Sequence, residues 1–579
     1  MRGIGASGRV VAAIAISALP MLAARLAFVT LYQSNDDVTM RLMAEGVAIS
    51  PRPTPYLLFI NIILGKLMVE LHGLMPSISW FLVILALIHL AGTATVVWVS
   101  LGNGSASWVQ SLIFLTAFDF WFWVKPHFTI TAALPAIGAV VLLIDQLTRG
   151  RPLKGRPLVW FLALIILSSM VRWQSCQLLL VAAFPVIILE SIPALRIHGG
   201  RYWLSLLFAP LLLAALAGGG VKAMNDWIYR SDPGWANFDE FNKLRAEFLD
   251  FERARYDWTT SPAFAAAGLT YNDYKMLKSW AFEDSQRFSL PVLRKLVTEL
   301  RPPLKSVEWD VLRRRWLEST VDPAAHLMVG ALMVSLAVAE GGRRRRVALT
   351  LVTVIGLVLL VGRVFHRLPH SVSDPLAALV PALGTAGATA SRRFPRLSLF
   401  GYFLGLCFLG VLFGRVWLDT VPRAKLIQAM SDRLVDSIHE LRPQSNELYV
   451  DWGAAFPYEL LLNSDQVQVL KPMRMLALGC ANQTPINRER LREFHIDNLF
   501  EAMFTQRNIR IIGYPDTINQ LDRYAVEHYG KHLRFHRLMH RQLGGYPDFD
   551  DGTGEFIVHT KSLMVYECKE GDPVPLHPR

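Results

Sequence analysis

Long apolar runs separated by short polar connections dominate the chain. Runs near 10–31, 79–100, 107–124, 129–147, 158–171, 174–191, 203–221, 323–340, 347–363, 374–390 and 397–418 approach the roughly 20 residues a helix needs to cross a ~30 Å hydrocarbon core. They predict about eleven spans. Arg172, Trp173 and Gln174 interrupt the stretch 158–191, and two short helices meeting at the far face fit it better than one span around a buried arginine. Three stretches break the rhythm. In 32–78, residues 56–72 predict an amphipathic helix on or dipping into the outer surface, its apolar face interrupted by Asn61, Lys66 and Glu70. In 222–322, Phe238, Phe241, Leu244, Phe248 and Phe251 recur at three or four residues, with Asn237 and Glu240 marking a helix start. After 418 a helix (AKLIQAMSDRLVDSIHEL) precedes strand-like runs ELYVDW, NIRIIGY, EFIVHT and SLMVYE, with helices such as DRYAVEHYGKHL between them. The predicted fold class is mostly α: a polytopic transmembrane helical bundle over 1–418, followed by a C-terminal α/β or α+β domain over 419–579.

Composition sharpens this picture. Of 579 residues 52% are hydrophobic and 18% charged, which excludes an ordinary cytosolic enzyme and a disordered or collagen-like chain. The net charge, 59 − 47 = +12, is explained without nucleic acid. With a cytoplasmic N-terminus the short loops 148–157, 192–202, 341–346 and 391–396 all lie inside, and every one is basic. Loops 32–78 and 222–322 and the C-terminal domain then lie on the outer side of the membrane. The first run is too long for a cleaved signal peptide, contains Arg25 and lacks an A-x-A site. Cys480 and Cys568 fall on the oxidising side, where a disulfide could join them, while Cys176 and Cys407 read as apolar packing.

Polar residues in spans are expensive and usually mark a site. Here they gather at the outer ends: Asn35, Asp36 and Asp37; Asp119, Lys125 and His127; Arg172 and Gln174; Arg363, His366, Arg367, His370 and Asp374. The inner ends carry only solvated basic clusters. Cations on the outer side breach the positive-inside rule, and an anionic ligand supplies a reason. Plainer roles exist for each. Asn35, Asp36 and Asp37 suit the start of the helix VTMRLMAEGVA, and Arg363, His366 and Arg367 could snorkel to head groups. Lys125 and His127 could be interfacial, Asp119 could pair with Lys125, and FDFWFW at 118–123 reads as an interfacial aromatic belt.

The acidic pair in SNDD at 34–37, directly after the first span and followed by short surface helices and a bundle of spans, resembles the GT-C glycosyltransferase superfamily. Its members carry an Asp or Glu early in the first outer loop, and many bacterial members end in a periplasmic domain. The segments FNKLRAEFLDFERARYDW, GLTYNDYKMLKSW and HRLPHSVSDPLAALV are similar to a bacterial membrane-protein family associated with that superfamily. The resemblance implies an inverting transfer from a polyprenyl-phosphate-sugar donor, hexose or pentose such as arabinofuranose, to a glycan, lipid or protein acceptor at the outer face. It implies Asp36 or Asp37 as the base; Arg363, His366, Arg367, Arg172 and Lys125 on the donor phosphate; and Asn35, His127, Gln174 and His370 on substrate. No cofactor is required; the outer carboxylates could hold a divalent ion, but no ligand cluster compels one. Trp227, Trp235, Trp258 and Trp280 could stack on sugar. A lipid-linked glycan polymerase or ligase would use the same cations without needing the acidic pair. A transporter or flippase fits less well, because the charges lie at the outer ends and not at the midplane.

Overall fold

The computed structural model describes residues 5–28, 32, 35–203, 207–249, 256–300, 323–365, 369–387, 396–453, 455–461, 464–549 and 556–571. Among them six helices are long and apolar enough to cross a membrane: Ser7–Ala27, Trp80–Leu101, Phe128–Thr148, Arg156–Pro193, Gly341–Gly362 and Phe403–Leu441. A shorter apolar helix covers Ala324–Val338. The run at 107–124 forms a helix at Ser105–Phe114, a π-helical turn at Leu115–Asp119 and a further turn at Phe120–Val124.

The helices that position the site are α1 (Ala6–Ala27), α2 (Asn35–Glu45), α3 (Ile62–Leu74), α4 (Trp80–Leu101) and α7 (Phe128–Thr148). Helix α7 is apolar all round and buried throughout its apolar length, as a helix at the centre of a bundle must be. Asn61, expected to interrupt an amphipathic helix, instead caps α3, its side chain accepting from Ile63 N–H at 3.0 Å.

The helical segment α8 (Arg156–Trp203) contains the interruption at Arg172. Its Cys176 thiol sits beside the hydroxyls of Ser168 and Ser169. Eight residues of straight helix would separate 168 from 176 by about 12 Å, so the segment doubles back between them. Other contacts agree: Arg172 reaches Thr129 at the start of α7, whereas Glu190 pairs with Arg346 near the far end of α7. Two arms meeting at Arg172–Gln174 are what the interrupted run predicts.

At that far end the basic clusters are not all solvated, contrary to the sequence expectation. Arg343 and Arg346 are buried while Arg344 and Arg345 are exposed. Arg343 donates to Ser107 Oγ (2.7 Å) and Gly387 O (3.0 Å), and Arg346 to Ala386 O (2.6 Å). These carbonyls lie just past the helix His370–Gly384, where the dipole and the unpaired C=O groups attract cations.

A single helix, Arg396–Leu441, about 69 Å long at 1.5 Å per residue, runs from the bundle to a five-stranded sheet. The strands are β1 (Leu448–Asp451), β2 (Arg474–Ala477), β3 (Ile509–Ile512), β4 (His532–Phe549) and β5 (Phe556–Gly571), in the order β2-β1-β3-β5-β4. The first three are parallel, and β5 and β4 form a long antiparallel ribbon beside them. The runs EFIVHT and SLMVYE are thus one strand. The helix read at DRYAVEHYGKHL spans Pro515–Tyr529 and stops at Gly530, whose φ of +67° ends it before β4. The four cysteines are unbridged. Cys480 follows β2 and Cys568 lies in β5, so three strand spacings of ~4.8 Å separate them, beyond the reach of a disulfide.

The described part of the 222–322 stretch covers this sheet. Its helix Pro233–Leu249 starts earlier than the Asn237–Glu240 signal, because Asp232 accepts from the N–H groups of Gly234 and Trp235. Phe238, Phe241 and Phe248 are buried as the spacing predicts; Phe251 lies outside the described residues. The first loop is pinned to the sheet as well: Ala48 O accepts from Met475 N–H (3.1 Å) and the Arg490 guanidinium (2.6 Å).

Candidate active site

Asn35 opens α2, so Asp36 and Asp37 fall in its first turn, where carboxylates complement the helix dipole. Successive residues on a helix point about 100° apart, and these two meet different partners. Asp37 is buried, and its Oδ1 accepts the N–H of Phe128 at 2.9 Å. His127 Nδ1 accepts the N–H of Thr129 at 3.0 Å. Two of the unpaired donors at the N-terminus of α7 are thereby satisfied, and the positive end of that helix faces the Asp37 side chain. Asp36 turns to the other side, against the Cys480 thiol beyond β2.

The Asp37 carboxylate lines a cavity of about 190 Å³ between α1, α4 and the start of α7. Arg25, Tyr32, His89, His127 and Thr131 share its wall, and the rest is apolar, including Met21, Phe81, Leu85, Trp123 and Phe128. A pocket of that kind, apolar with a few convergent polar groups, is the usual form of a small-molecule site.

A second layer fixes α2. Arg41 is fully buried, and its Nε donates to Glu45 Oε1 at 3.0 Å. Ser79, at the entry to α4, donates to the same oxygen at 2.5 Å. The Tyr32 phenol bonds Arg41, and burial, opposed by Arg41, pushes its pKa up and keeps it neutral. Burial, reinforced by the nearby Arg172 charge, pushes His127 down to about 3. With Nδ1 accepting, the neutral ring carries its proton on Nε2.

The other expected site residues do not all converge. Arg172 stands one shell back: Nη1 donates to Thr129 Oγ1 at 3.0 Å, and the guanidinium lies over the Phe128 and Phe59 rings at 5.0 and 5.8 Å. Lys125 lies over the Trp121 ring at 5.7 Å. It does not pair with Asp119, which accepts instead from His89 and Thr93. Asn35 is half-buried, Gln174 is exposed, and His370 faces Asp374 at 3.5 Å; none of the three lines the cavity. Arg363 belongs to the helix Gly341–Phe365, but its side chain, with His366 and Arg367, lies outside the described residues. Of the four tryptophans, Trp235 stacks on Tyr56 (4.6 Å) and Trp280 receives Arg245 (4.3 Å), while Trp227 and Trp258 are exposed. Arg25, Tyr32 and His89 escaped the sequence reading; Arg25 and His89, ionisable groups inside apolar runs, carried the signal that should have flagged them. Among the described residues no group of three or more His, Cys, Asp or Glu is placed to hold a metal ion.

No protein-family model and no curated protein matches the chain. Among solved structures it is similar to a cryo-EM structure of the arabinofuranosyltransferase AftD from Mycobacteria, at 14% identity and a TM-score of 0.40. The match covers 96% of this chain but 41% of that one, so the chain spans less than half the length of the structure it matches. Likeness at this level leaves the function to be read from the cavity itself.

Proposed function

We propose that the chain is an integral membrane glycosyltransferase of a bacterial plasma membrane, with its N-terminus cytoplasmic and its C-terminal sheet outside. It takes a sugar from a polyprenyl-phosphate-linked donor and passes it to an envelope glycan, lipid or protein. The observation that supports this reading is Asp37: a buried carboxylate anchored through one oxygen at the N-terminus of α7, in the wall of an apolar cavity. A carboxylate is the base that an acceptor hydroxyl needs, and phosphate leaves without a general acid. Direct displacement inverts the anomeric centre. Asp37 is the base; Asp36, turned toward Cys480, positions α2 against the C-terminal sheet, which selects the acceptor. The neutral His127 offers its Nε2–H to substrate oxygen, and Arg172 keeps the rim positive. The chemistry requires no cofactor.

Lipids co-purifying with wild type and with Asp37→Asn test this by mass spectrometry, alongside transfer assays in proteoliposomes. The expected lipid is a polyprenyl monophosphate bearing one sugar, enriched in the variant. The expected loss of kcat is about 10²–10⁴-fold with donor binding retained, against a smaller loss for Asp36→Asn. Undiminished transfer by Asp37→Asn would remove the base; a polyprenyl diphosphate bearing a long glycan would favour a polymerase or ligase.

A further inference from the structure

The cavity holds a second ionisable pair. His89 and Thr93 lie one turn apart on α4, and both reach Asp119 Oδ1, at 2.9 and 2.7 Å. Asp119 is fully buried and is presented by the π-helical turn Leu115–Asp119, a distortion often found at functional sites. Its Oδ2 has no hydrogen-bond partner among the described residues. The His89 imidazole lines the same cavity as Asp37 and His127, and the Trp123 indole stacks on it at 4.0 Å.

Helix-to-helix adhesion is too small a role for this pair. An asparagine at 119 would accept from Thr93 equally well without placing a carboxylate in an apolar bundle. A carboxylate behind an imidazole does something an amide cannot: it orients the ring and stabilises its protonated form.

We propose that His89, backed by Asp119, is a phosphate-binding group of this cavity, one that hydrogen-bonds the phosphate of a polyprenyl-phosphate-linked donor. This rests on the glycosyl-transfer reading above. In the transfer, the acceptor oxygen forms a bond to the anomeric carbon as the bond from that carbon to phosphate oxygen breaks. The electron pair of the broken bond goes to the phosphate, and the acceptor proton goes to Asp37. Negative charge on the phosphate therefore rises by one during the step. A hydrogen bond from the His89 ring strengthens as it does so, which is the condition for lowering the barrier. Thr93 positions Asp119, and Asp119 positions His89.

The test uses full-length protein in phosphatidylethanolamine–phosphatidylglycerol nanodiscs. The probes are a polyprenyl monophosphate, the corresponding polyprenol and inorganic phosphate. Wild type is expected to prefer the monophosphate over the polyprenol by about tenfold or more. His89→Gln and Asp119→Asn should each bring the preference within about threefold. In turnover assays Asp119→Asn should lower kcat more than it raises KM, a split that a purely packing role would not produce. Asp119→Asn preserves the side-chain shape and keeps the test open if His89→Gln does not fold. An undiminished preference in both variants overturns the assignment, and so does inorganic phosphate binding as tightly as the lipid. If wild type binds neither lipid, the reading of the whole cavity fails; if it binds both normally and only the variants are unchanged, His89 alone is wrongly assigned.

Discussion

Arg41 is fully enclosed beside the site, and the carboxylate it pairs with, Glu45, also receives Ser79. A buried ion pair adds little over a well-packed apolar pair, but removing one partner strands the other charge. Glu45→Gln is therefore expected to lower the unfolding free energy by about 3 kcal/mol or more, read as a fall in the thermal midpoint in detergent. Arg41→Met combined with Glu45→Met should recover most of that loss, which a simple packing defect would not do. The i,i+4 spacing of Arg41 and Glu45 was legible in the sequence, but it reads there as a surface helix pair. Only the fold shows that α2 is enclosed. The same limit applies to SNDD: the letters mark a carboxylate pair, and only the entry angle of α2 decides that Asp37 meets the cavity and Asp36 meets Cys480. His89 was readable as an ionisable group inside an apolar run, yet its partner Asp119 lies on a different run, and Lys125 was nearer in sequence.

At the scale of elements, the cavity depends on how closely α4 approaches α7. A Cβ on Gly92 would overlap the backbone of Leu134, and one on Gly138 would stand 2.8 Å from Gly92 O. Small residues allow helices in an apolar medium to pack this tightly, where dispersion replaces the hydrophobic effect as the attraction. Gly92→Ala should force the helices apart at a cost of about 1–3 kcal/mol. It should also raise KM, because His89 lies one turn below Gly92 on the face-bearing stretch of α4, while Gly73→Ala, with open space around it, should change neither. Thermal unfolding and steady-state kinetics on the two variants separate these outcomes. Apolar runs gave away the long helices and the reversal at Arg172–Gln174 because length and interruption are local properties. Strand β2 was missed because four residues, RMLA, carry too little pattern, and β4 because its cations Arg534, Arg537 and Arg541 mask the alternation of an exposed edge strand.

Across the whole molecule, the segment 222–300 and the C-terminal sheet interlock through buried polar groups, and two of these make stability depend on pH. Glu283 accepts from Gln483 N–H (2.8 Å) and Asn487 Nδ2 (3.1 Å), and Asp451, at the end of β1, accepts from Phe456 N–H (2.9 Å). Burial outweighs these donors and pushes both carboxyls up to about 7. In the unfolded chain both return to about 4. Between those values the native state holds more protons than the unfolded state, so the unfolding free energy falls as pH rises. The contribution is full below about pH 4, is lost progressively up to about 7, and is constant above it. This is opposite in sign to a carboxylate held by a salt bridge. Melting monitored by intrinsic fluorescence should therefore give a higher midpoint at pH 5.5 than at pH 8, within the window set by these two groups. Glu283→Gln and Asp451→Asn should each reduce the difference, and the double variant should reduce it further. A wild-type midpoint that rises from the lower pH to the higher would contradict the assignment. Because Ala48 O ties the first loop to this layer through Met475 and Arg490, the same titration should reach the loop that follows α2. Hydrogen exchange across residues 46–54 is expected to quicken as pH rises, beyond the intrinsic base-catalysed increase, and to lose that excess in the double variant.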